Sequence, residues 1–491
     1  MIRLSPDTLD RLPADVGRPA YERAAIRTGV VHLGIGAFHR AHQADVFDRA
    51  LEAGDPRWGI LGVSLRSPGV RDQLAPQGGL YALSVRDGSE ERVRIIGAVT
   101  GLEVGPEDPA ALVERLAHPD VHLVTLTVTE KGYRLDPASG ALLSEAPDVT
   151  ADLADPDRPR TAPGVLAAGL RLRHQRGLPP LTVISCDNLP HNGARVRDAT
   201  LAFARAADPA TADWIEANCA FPQTMVDRIV PATTPADVDA MEARLGLRDE
   251  GMVKTEPFLQ WVIEDRFAGA RPDFEALGVR ITASVAPWED AKLRLLNGAH
   301  SALAYLGGLA GIAFVHQAVA DPAWARYVTG LWDEAETTLT PPPELDVAAY
   351  RRDLFARFAN ASLNHRTHQI AMDGSQKLPQ RLVATAAARV EQGLPLAHLA
   401  LAIAGWMRWQ GGQDDAGQSF GVDDPLAATT RRLLDAAGPD AEARARALLS
   451  LTAVFPPSLT ADPAFRAPVI AAYRQLCHSG ARAAVEALVT P

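Results

Sequence analysis

A lysine, an asparagine and a histidine lie close together in one apolar segment, at Lys292, Asn297 and His300. From Trp288 onward the segment has no proline, and no glycine before position 298. Its apolar residues recur at helical spacing, which predicts a helix that begins near Trp288. At about 100° per residue, His300 lies about 80° and Asn297 about 140° from Lys292. The three polar side chains therefore share one broad face of the predicted helix.

The chain from Leu295 to Ala320 contains no Asp, Glu, Lys or Arg, which indicates a largely buried helix. At the edge of such an environment, burial disfavours the ammonium form of Lys292 and moves its pKa toward neutrality, so that the amine can serve as a base. In the alternative interpretation, Lys292 extends to solvent, and Asn297 and His300 are ordinary hydrogen-bonded core residues. The spacing leaves both interpretations open.

Near the start of the chain, the sequence from Gly29 predicts a short apolar strand, a glycine turn and a helix that reaches about Ala53. Such a unit opens a dinucleotide-binding fold, in which turn glycines let the backbone approach a pyrophosphate. The third glycine of the usual fingerprint is absent, and His39 stands there. The residues of the turn predicted to contact the dinucleotide are Gly34, Ile35, Gly36, Ala37, Phe38 and His39.

The ends of the following predicted strands carry further candidates. The strand Trp58–Leu65 is followed by Arg66, where NAD-specific sites usually place an acid that holds the ribose. NADP is therefore an alternative to NAD. Glu130 follows the strand at 121–128, and Asn188 ends the strand at 181–188. Ligands bind at the carboxyl ends of parallel strands, although Glu130 is equally compatible with a solvated loop.

Length, charge and cysteine content bound the possible functions. The 491 residues suffice for two or three domains, and the net charge of −11 argues against non-specific binding to nucleic acid. Three scattered cysteines exclude a disulfide framework and make a cysteine-based zinc site unexpected. The N-terminal residues do not form a signal peptide, and the uncharged run after Leu295 carries too many polar residues and glycines for a membrane span. We expect a cytoplasmic protein without a membrane partner.

The density of strands falls after Ser284, and helices of ten to twenty residues follow from Trp288. The pattern predicts an α/β protein with a Rossmann-type, doubly wound N-terminal domain (residues 1–285) and a mainly α-helical C-terminal domain (residues 286–491). None of the seven tyrosines is followed four residues later by lysine, as short-chain dehydrogenases require.

The run KLRLLNGAHSALAYLG resembles the hallmark segment of the polyol-specific long-chain dehydrogenases, the mannitol dehydrogenase family. The resemblance extends from GVVHLGIGAFHRAHQ to MDGSQKLPQR and so covers most of the chain. It implies NAD as cofactor, a monomer, and a catalytic centre of Lys292, Asn297 and His300. The reaction that it implies is metal-free hydride transfer with Lys292 as the base. It also implies that Asn188, in SCDNLPHNG, reaches the active site and that Asp227, in DRIVP, lies near the cleft.

A second polar segment, HRTHQIAMDGSQKLPQR, resembles the hexuronate branch of the same family, whose members interconvert fructuronate and mannonate. The resemblance implies a sugar acid as substrate. Because arginine binds a carboxylate in a bidentate fork, we expect Arg366, helped by His368 and Lys377, to receive the substrate carboxylate. The alternatives are a mannitol 2-dehydrogenase, another polyol or sugar-acid dehydrogenase, or a non-catalytic NAD-binding sensor.

Overall fold

The computed structural model describes residues 2–136 and 139–490, and the chain forms two compact units that divide between Val285 and Ala286. Strands lie in the first unit, and helices build the second. Within the described residues, no helix combines the length and the apolar character that crossing a membrane requires.

The described residues of the first unit form eleven strands: β1 (Thr28–Leu33), β2 (Gly59–Ser64), β3 (Tyr81–Asp87), β4 (Glu90–Ile96), β5 (Val99–Val104), β6 (Leu123–Leu126), β7 (Thr182–Ser185), β8 (Thr224–Asp227), β9 (Val253–Thr255), β10 (Gln260–Glu264) and β11 (Arg280–Thr282). Its helices are α1 (Ala37–Ala41), α2 (Gln43–Glu52), α3 (Gly69–Leu74), α4 (Pro109–Leu116), α5 (Pro147–Ala154), α6 (Ala162–Gln175), α7 (Asn192–Ala207), α8 (Pro209–Asn218) and α9 (Pro235–Leu245).

The central sheet of the first unit is parallel and has the order β5-β2-β1-β6-β7. Its strands read as nearly continuous apolar runs because both faces are buried. In β1, Val31 and Leu33 pack into one core cluster, whereas Val30 packs into another. The strand order reverses between β1 and β6, which is where such folds bind ligands. The predicted Rossmann-type sheet is confirmed.

Two three-stranded sheets flank this core, with the orders β11-β10-β8 and β4-β3-β9. The β3–β4 hairpin turns at Gly88, which has a positive φ of 57°. The single helix predicted after the glycine turn is wrong in one respect, because it breaks at His42 (φ −125°, ψ −86°) into α1 and α2. The imidazole of His42 bonds the carbonyl of Gln260 at 2.9 Å, which joins this break to β10.

The second unit contains α10 (Ala286–Ala291), α11 (Gly298–Leu309), α12 (Val315–Val319), α13 (Pro322–Glu336), α14 (Val347–Ala359), α15 (Thr367–Ala371), α16 (Gly374–Leu378), α17 (Ala384–Glu391), α18 (Ala397–Trp409), α19 (Ala427–Ala437), α20 (Ala441–Leu449), α21 (Pro457–Ala461) and α22 (Pro463–Val489, interrupted at Gly480). Two π-helical segments, Lys292–Asn297 and Pro379–Val383, continue α10 into α11 and α16 into α17. The buried helix α11 packs against α15, α18 and α22.

The first π-helical segment corrects the regular α-helix predicted from the sequence. The amide of Gly298 donates to the carbonyl of Leu293, five residues earlier, in place of the four of an α-helix. The indole of Trp332 donates to the carbonyl of Leu295 at 2.9 Å. Gly298 lies so close to the second π-helical segment that a Cβ there would stand 3.0 Å from the carbonyl oxygen of Arg381. The wider turn is thus supported by tertiary contacts.

Candidate active site

In the first unit, a cleft of about 420 Å³ opens at the carboxyl ends of β1, β2 and β6. Its lining includes Gly34, Ile35, Gly36, Arg66, Thr129 and Arg134. Gly34 has φ +101°, and a Cβ there would stand 2.2 Å from the carbonyl oxygen of Thr127. At Gly36 the nearest atom to such a Cβ is the carbonyl oxygen of Gly34, at 3.8 Å. The turn therefore needs glycine at its first position and leaves an open backbone face at its second, as a dinucleotide pyrophosphate requires.

Buried histidines support this turn from below. His32 bonds the hydroxyls of Thr125 (2.7 Å) and Thr127 (2.9 Å), and the hydroxyl of Thr127 donates to the carbonyl of Gly34 at 2.7 Å. His39 stacks on His32 with ring centroids 3.4 Å apart and is fully buried. Burial lowers the pKa of His32 to about 3 and that of His39 well below its usual value, so both rings are neutral at pH 7. His39 thus lies in the core beneath the turn.

The other predicted cofactor residues divide between the cleft and its surroundings. Ala37 and Phe38 begin α1 and are partly buried, and Phe38 stacks on His42. Arg66 is exposed beyond β2. Asp227 ends β8 and is only 5% exposed. The next residue, Arg228, pairs with Asp45 of α2 at 3.0 Å, which ties the DRIVP element to that helix.

A strained loop follows β6. Thr129 has a positive φ of 68°, and its amide donates to the Asp187 carboxylate at 2.8 Å, while the hydroxyl of Tyr133 donates to the same carboxylate at 2.6 Å. Glu130, between them, is exposed. Asn188 follows Asp187 beyond the end of β7 and is also exposed. Strained backbone persists where surrounding bonds hold it, and it clusters at functional sites. Asp187 is thus the residue that fixes this loop, a role that the sequence analysis did not assign.

In the second unit, Lys292 and Asn297 begin and end one π-helical segment, and His300 lies in the first turn of α11. Lys292, Asn297 and His300 are 6%, 7% and 8% exposed. Because a π-helical turn closes over five residues, Asn297 lies about one turn beyond Lys292, nearer to it than an α-helix would allow. Asn297 Nδ2 and His300 Nε2 are buried and have no hydrogen-bond partner among the described residues. Buried polar atoms of this kind are costly unless a ligand or water satisfies them.

The surroundings of His300 are cationic. Its ring packs edge-on against His365 (centroids 4.6 Å apart) and lies 5.0 Å from the ring of Phe358. Burial, followed by the charges of His365, Arg381, Arg357 and Lys377, holds the pKa of His300 well below its usual value. Burial also lowers the pKa of His365 to about 4. At pH 7 both imidazoles are therefore neutral, and the positive charges that act on His300 are those of Arg381, Arg357 and Lys377.

The three residues predicted to bind a carboxylate lie in different surroundings. Arg366 is exposed, and its guanidinium lies 5.5 Å from the ring of Phe314. His368 is exposed beside Trp409 and Phe420, in a surface pocket of about 240 Å³. Of the three predicted residues, Lys377 alone is among the charges with the largest effects on His300. Arg357, His365 and Arg381 join it there, although the sequence analysis assigned them no role.

Glu289 lies one turn before Lys292. Burial raises its pKa to about 7, helped by the charge of Asp290 and opposed by that of Lys292.

Among residues 2–136 and 139–490, no group of three or more His, Cys, Asp or Glu side chains could hold a metal ion.

Comparison with known proteins gives matches over nearly the whole chain. Residues 28–276 match the model of the mannitol dehydrogenase Rossmann domain, and residues 284–477 match that of the mannitol dehydrogenase C-terminal domain. The chain is 44% identical over 478 residues to the uncharacterized oxidoreductase YeiQ of Escherichia coli (strain K12), covering 96% of this chain and 97% of that protein. It is 43% identical over 479 residues to D-mannonate oxidoreductase of the same organism, covering 96% of this chain and 98% of that protein.

A solved structure is similar over the full length. The ternary complex of Pseudomonas fluorescens mannitol 2-dehydrogenase with NAD and D-mannitol matches with a TM-score of 0.89 and 37% identity, covering 99% of each chain.

The glycine turn gives a first testable prediction. Gly34→Ala places a Cβ 2.2 Å from the carbonyl oxygen of Thr127 at a left-handed φ, so the turn must move. We expect the dissociation constant for NADH, measured by fluorescence titration, to rise at least about tenfold, which corresponds to ~1.4 kcal/mol. Gly54→Ala is the matched control, because Gly54 has a similar φ of +97° but nothing within 4 Å of the added carbon. Equal NADH affinities in the two variants would contradict the assignment.

Glu289 gives a second prediction, on pH and stability. Because its pKa is raised from 4.5 to about 7, the folded protein favours the protonated acid. The stability that this group contributes is present below pH 4.5 and is lost as the pH rises through 7. At pH 8, Glu289→Gln should therefore be more stable than the wild type by roughly 1–2 kcal/mol and should unfold at a higher temperature. At pH 4 the two proteins should unfold at the same temperature.

Asp290→Asn is the comparison variant, because it removes only the smaller cause of the Glu289 shift and the Asp290 side chain is 51% exposed. It should relieve only a small part of the loss of stability at pH 8. A constant difference between Glu289→Gln and the wild type from pH 4 to pH 8 would exclude the titration of Glu289 as the cause.

Proposed function

Because the chain belongs to the mannitol dehydrogenase family, whose members are oxidoreductases that act on secondary alcohols, we propose that it interconverts D-fructuronate and D-mannonate with NAD. The observation that carries the proposal is the buried group Lys292, Asn297 and His300, with two unsatisfied polar atoms in a cationic environment. A polyol places only neutral hydroxyls there, whereas a sugar acid also brings the negative charge that this environment favours.

The residues of the first unit fit a dinucleotide. The open backbone face at Gly36, the constrained turn at Gly34 and the cleft at the carboxyl ends of the parallel strands are the features that such a ligand needs. NAD, when bound, accepts or supplies the hydride. Arg66 would lie beside the adenosine ribose, where its charge also suits a 2′-phosphate, so NADP is the alternative cofactor. Glu130 and Asp227 remain proposed contributors from the loops that follow β6 and β8.

In the second unit, Lys292 acts as the acid and base. In the oxidation direction its neutral amine takes the proton of the secondary alcohol, and in reduction its ammonium returns that proton to the nascent alkoxide. Asn297 Nδ2 donates to the reacting oxygen, and His300 Nε2 bonds a neighbouring substrate oxygen and fixes its orientation. We assign Asn188 as a further amide donor to the developing charge.

The test of the function is the oxidation of NADH and NADPH, followed at 340 nm, with fructuronate and fructose side by side. Turnover of fructuronate alone supports the proposal. Turnover of fructose alone makes the protein a mannitol 2-dehydrogenase, the second candidate, which the full-length similarity to that enzyme favours. Binding of NADH without turnover of any ketose or ketouronate would favour a non-catalytic sensor. The coenzyme that is oxidised faster decides between NAD and NADP.

The acid–base assignment gives a third prediction. Lys292→Ala should lower kcat by about 10²- to 10⁴-fold without changing the NADH dissociation constant, because proton transfer is lost while the cleft of the first unit is untouched. Asn297→Ala should cost about a hundredfold in kcat with a modest change in KM. Arg294→Ala is the matched control, because Arg294 lies on the same π-helical segment but its guanidinium is engaged by Thr338. It donates to the carbonyl oxygen of Thr338 at 2.6 Å and to the hydroxyl at 2.8 Å. A Lys292 variant that retains nearly full activity would falsify the mechanism.

A further inference from the structure

Arg381 lies beside His300 on the second π-helical segment. Its guanidinium Nη1 donates to the hydroxyl of Ser301 at 3.2 Å, and its carbonyl oxygen stands 3.0 Å from a Cβ built at Gly298. Both contacts are to α11, one on each side of His300 in the sequence. Arg381 is therefore held against the same helix that carries His300.

The guanidinium of Arg381 is under-satisfied. Its Nε is buried and has no hydrogen-bond partner among the described residues, and no carboxylate in that part of the chain forms an ion pair with it. Burial lowers the pKa of Arg381 to about 10, with the nearby Tyr305 opposing the shift. The group is still charged at pH 7. A charged guanidinium with a free Nε in a poorly solvated position is expensive unless an anion joins it.

A second cation shares this position. Lys377 lies four residues before Arg381, and burial followed by the charge of Arg381 lowers its pKa. Its ammonium donates to the backbone carbonyls of Ile370 and Met372, which leaves its charge without a direct ion pair among the described residues. The charge of Arg381 lowers the pKa of Lys377 even though the carboxylates of Asp373, Asp423 and Asp424 oppose it, and both cations lower the pKa of His300. A negative group that arrives beside these two cations is therefore favoured.

Arg366 does not share these surroundings. It is exposed, its guanidinium faces Phe314, and it is absent from the main causes of the His300 shift. An ion pair between a carboxylate and an exposed arginine is weak, because water screens it. The same pair with a desolvated arginine is stronger.

We propose that Arg381, with Lys377 beside it, receives the anionic end of the substrate and so decides between a sugar acid and a neutral ketose. The carboxylate accepts hydrogen bonds from Nε and the second terminal nitrogen of Arg381, while the first stays on Ser301. This assignment rests on the proposed function, and it replaces Arg366 as the expected partner of the carboxylate.

The test compares kcat/KM for fructuronate and fructose in Arg381→Met, Arg381→Lys and the competing variant Arg366→Met. Hydrogen bonds to charged groups contribute about 1.5–3 kcal/mol, so Arg381→Met should lower kcat/KM for fructuronate roughly ten- to a hundredfold, mainly through KM. The value for fructose should change less than about threefold. Arg381→Lys should recover part of the loss. Arg352→Met, which removes an exposed arginine of α14, is the control.

Ser301→Ala separates recognition from positioning, because it removes the bond between Arg381 and α11 but keeps the charge. If Ser301→Ala reproduces the loss, or if Arg381→Met lowers kcat for both substrates equally, Arg381 only positions the helix and the inference is overturned. It is also overturned if Arg366→Met, rather than Arg381→Met, abolishes the preference for the acid.

Binding keeps the inference testable if turnover is slow or a variant folds poorly. Circular dichroism checks the fold, and the thermal shift produced by D-mannonate and by D-mannitol, each with NADH present, measures recognition of the carboxylate. The wild type should be stabilised more by mannonate, and Arg381→Met should lose that difference. A wild type that neither binds nor turns over a sugar acid overturns the proposed function, whereas an Arg381→Met variant that keeps the preference overturns this inference alone.

Discussion

The main constraint on the second unit is the free-energy cost of polar atoms that are buried without a hydrogen-bond partner among the described residues. Asn297 Nδ2, His300 Nε2 and Arg381 Nε all lack a hydrogen-bond partner among the described residues, and each costs free energy in that state. A protein can keep such groups only if the surrounding helices hold them firmly. Here α11 is buried along its whole length and packs against α15, α18 and α22. The packing of α11 therefore offsets the free-energy cost of the unsatisfied polar atoms in the site.

The two π-helical segments help to hold these buried polar groups in place. They meet where Gly298 approaches the carbonyl of Arg381. Because a π-helical turn closes over five residues, it turns Asn297 toward the face of Lys292. The sequence predicted the helix and its three polar residues, because apolar spacing and the absence of charge are local properties. It did not predict the π-helical turn, because a bond over five residues in place of four is decided by contacts with a segment more than eighty residues away.

Other differences have equally local causes. The parallel sheet and the glycine turn were predictable from apolar runs that end at Gly34 and Gly36, but the β3–β4 hairpin was overlooked although Asp87-Gly88 is a typical turn signal. His39 was grouped with the turn by its position, whereas its ring lies under the turn against His32. The sequence shows that a residue is an arginine, but it does not show which neighbours the guanidinium contacts. Arg366 and Arg381 were therefore indistinguishable until their neighbours, Phe314 and Ser301, were known.

The positive potential around His300 affects two groups in opposite ways. It holds the pKa of His300 well below its usual value, so the imidazole remains neutral and can bond a hydroxyl of the substrate without adding charge. The same potential attracts an anion, whose negative charge would in turn make the protonated imidazole less unfavourable. Burial is the first cause of the His300 shift, and a ligand that fills the site does not remove it. A desolvated histidine among cations is therefore suited to orient a sugar acid, whereas an exposed one would titrate near neutral pH.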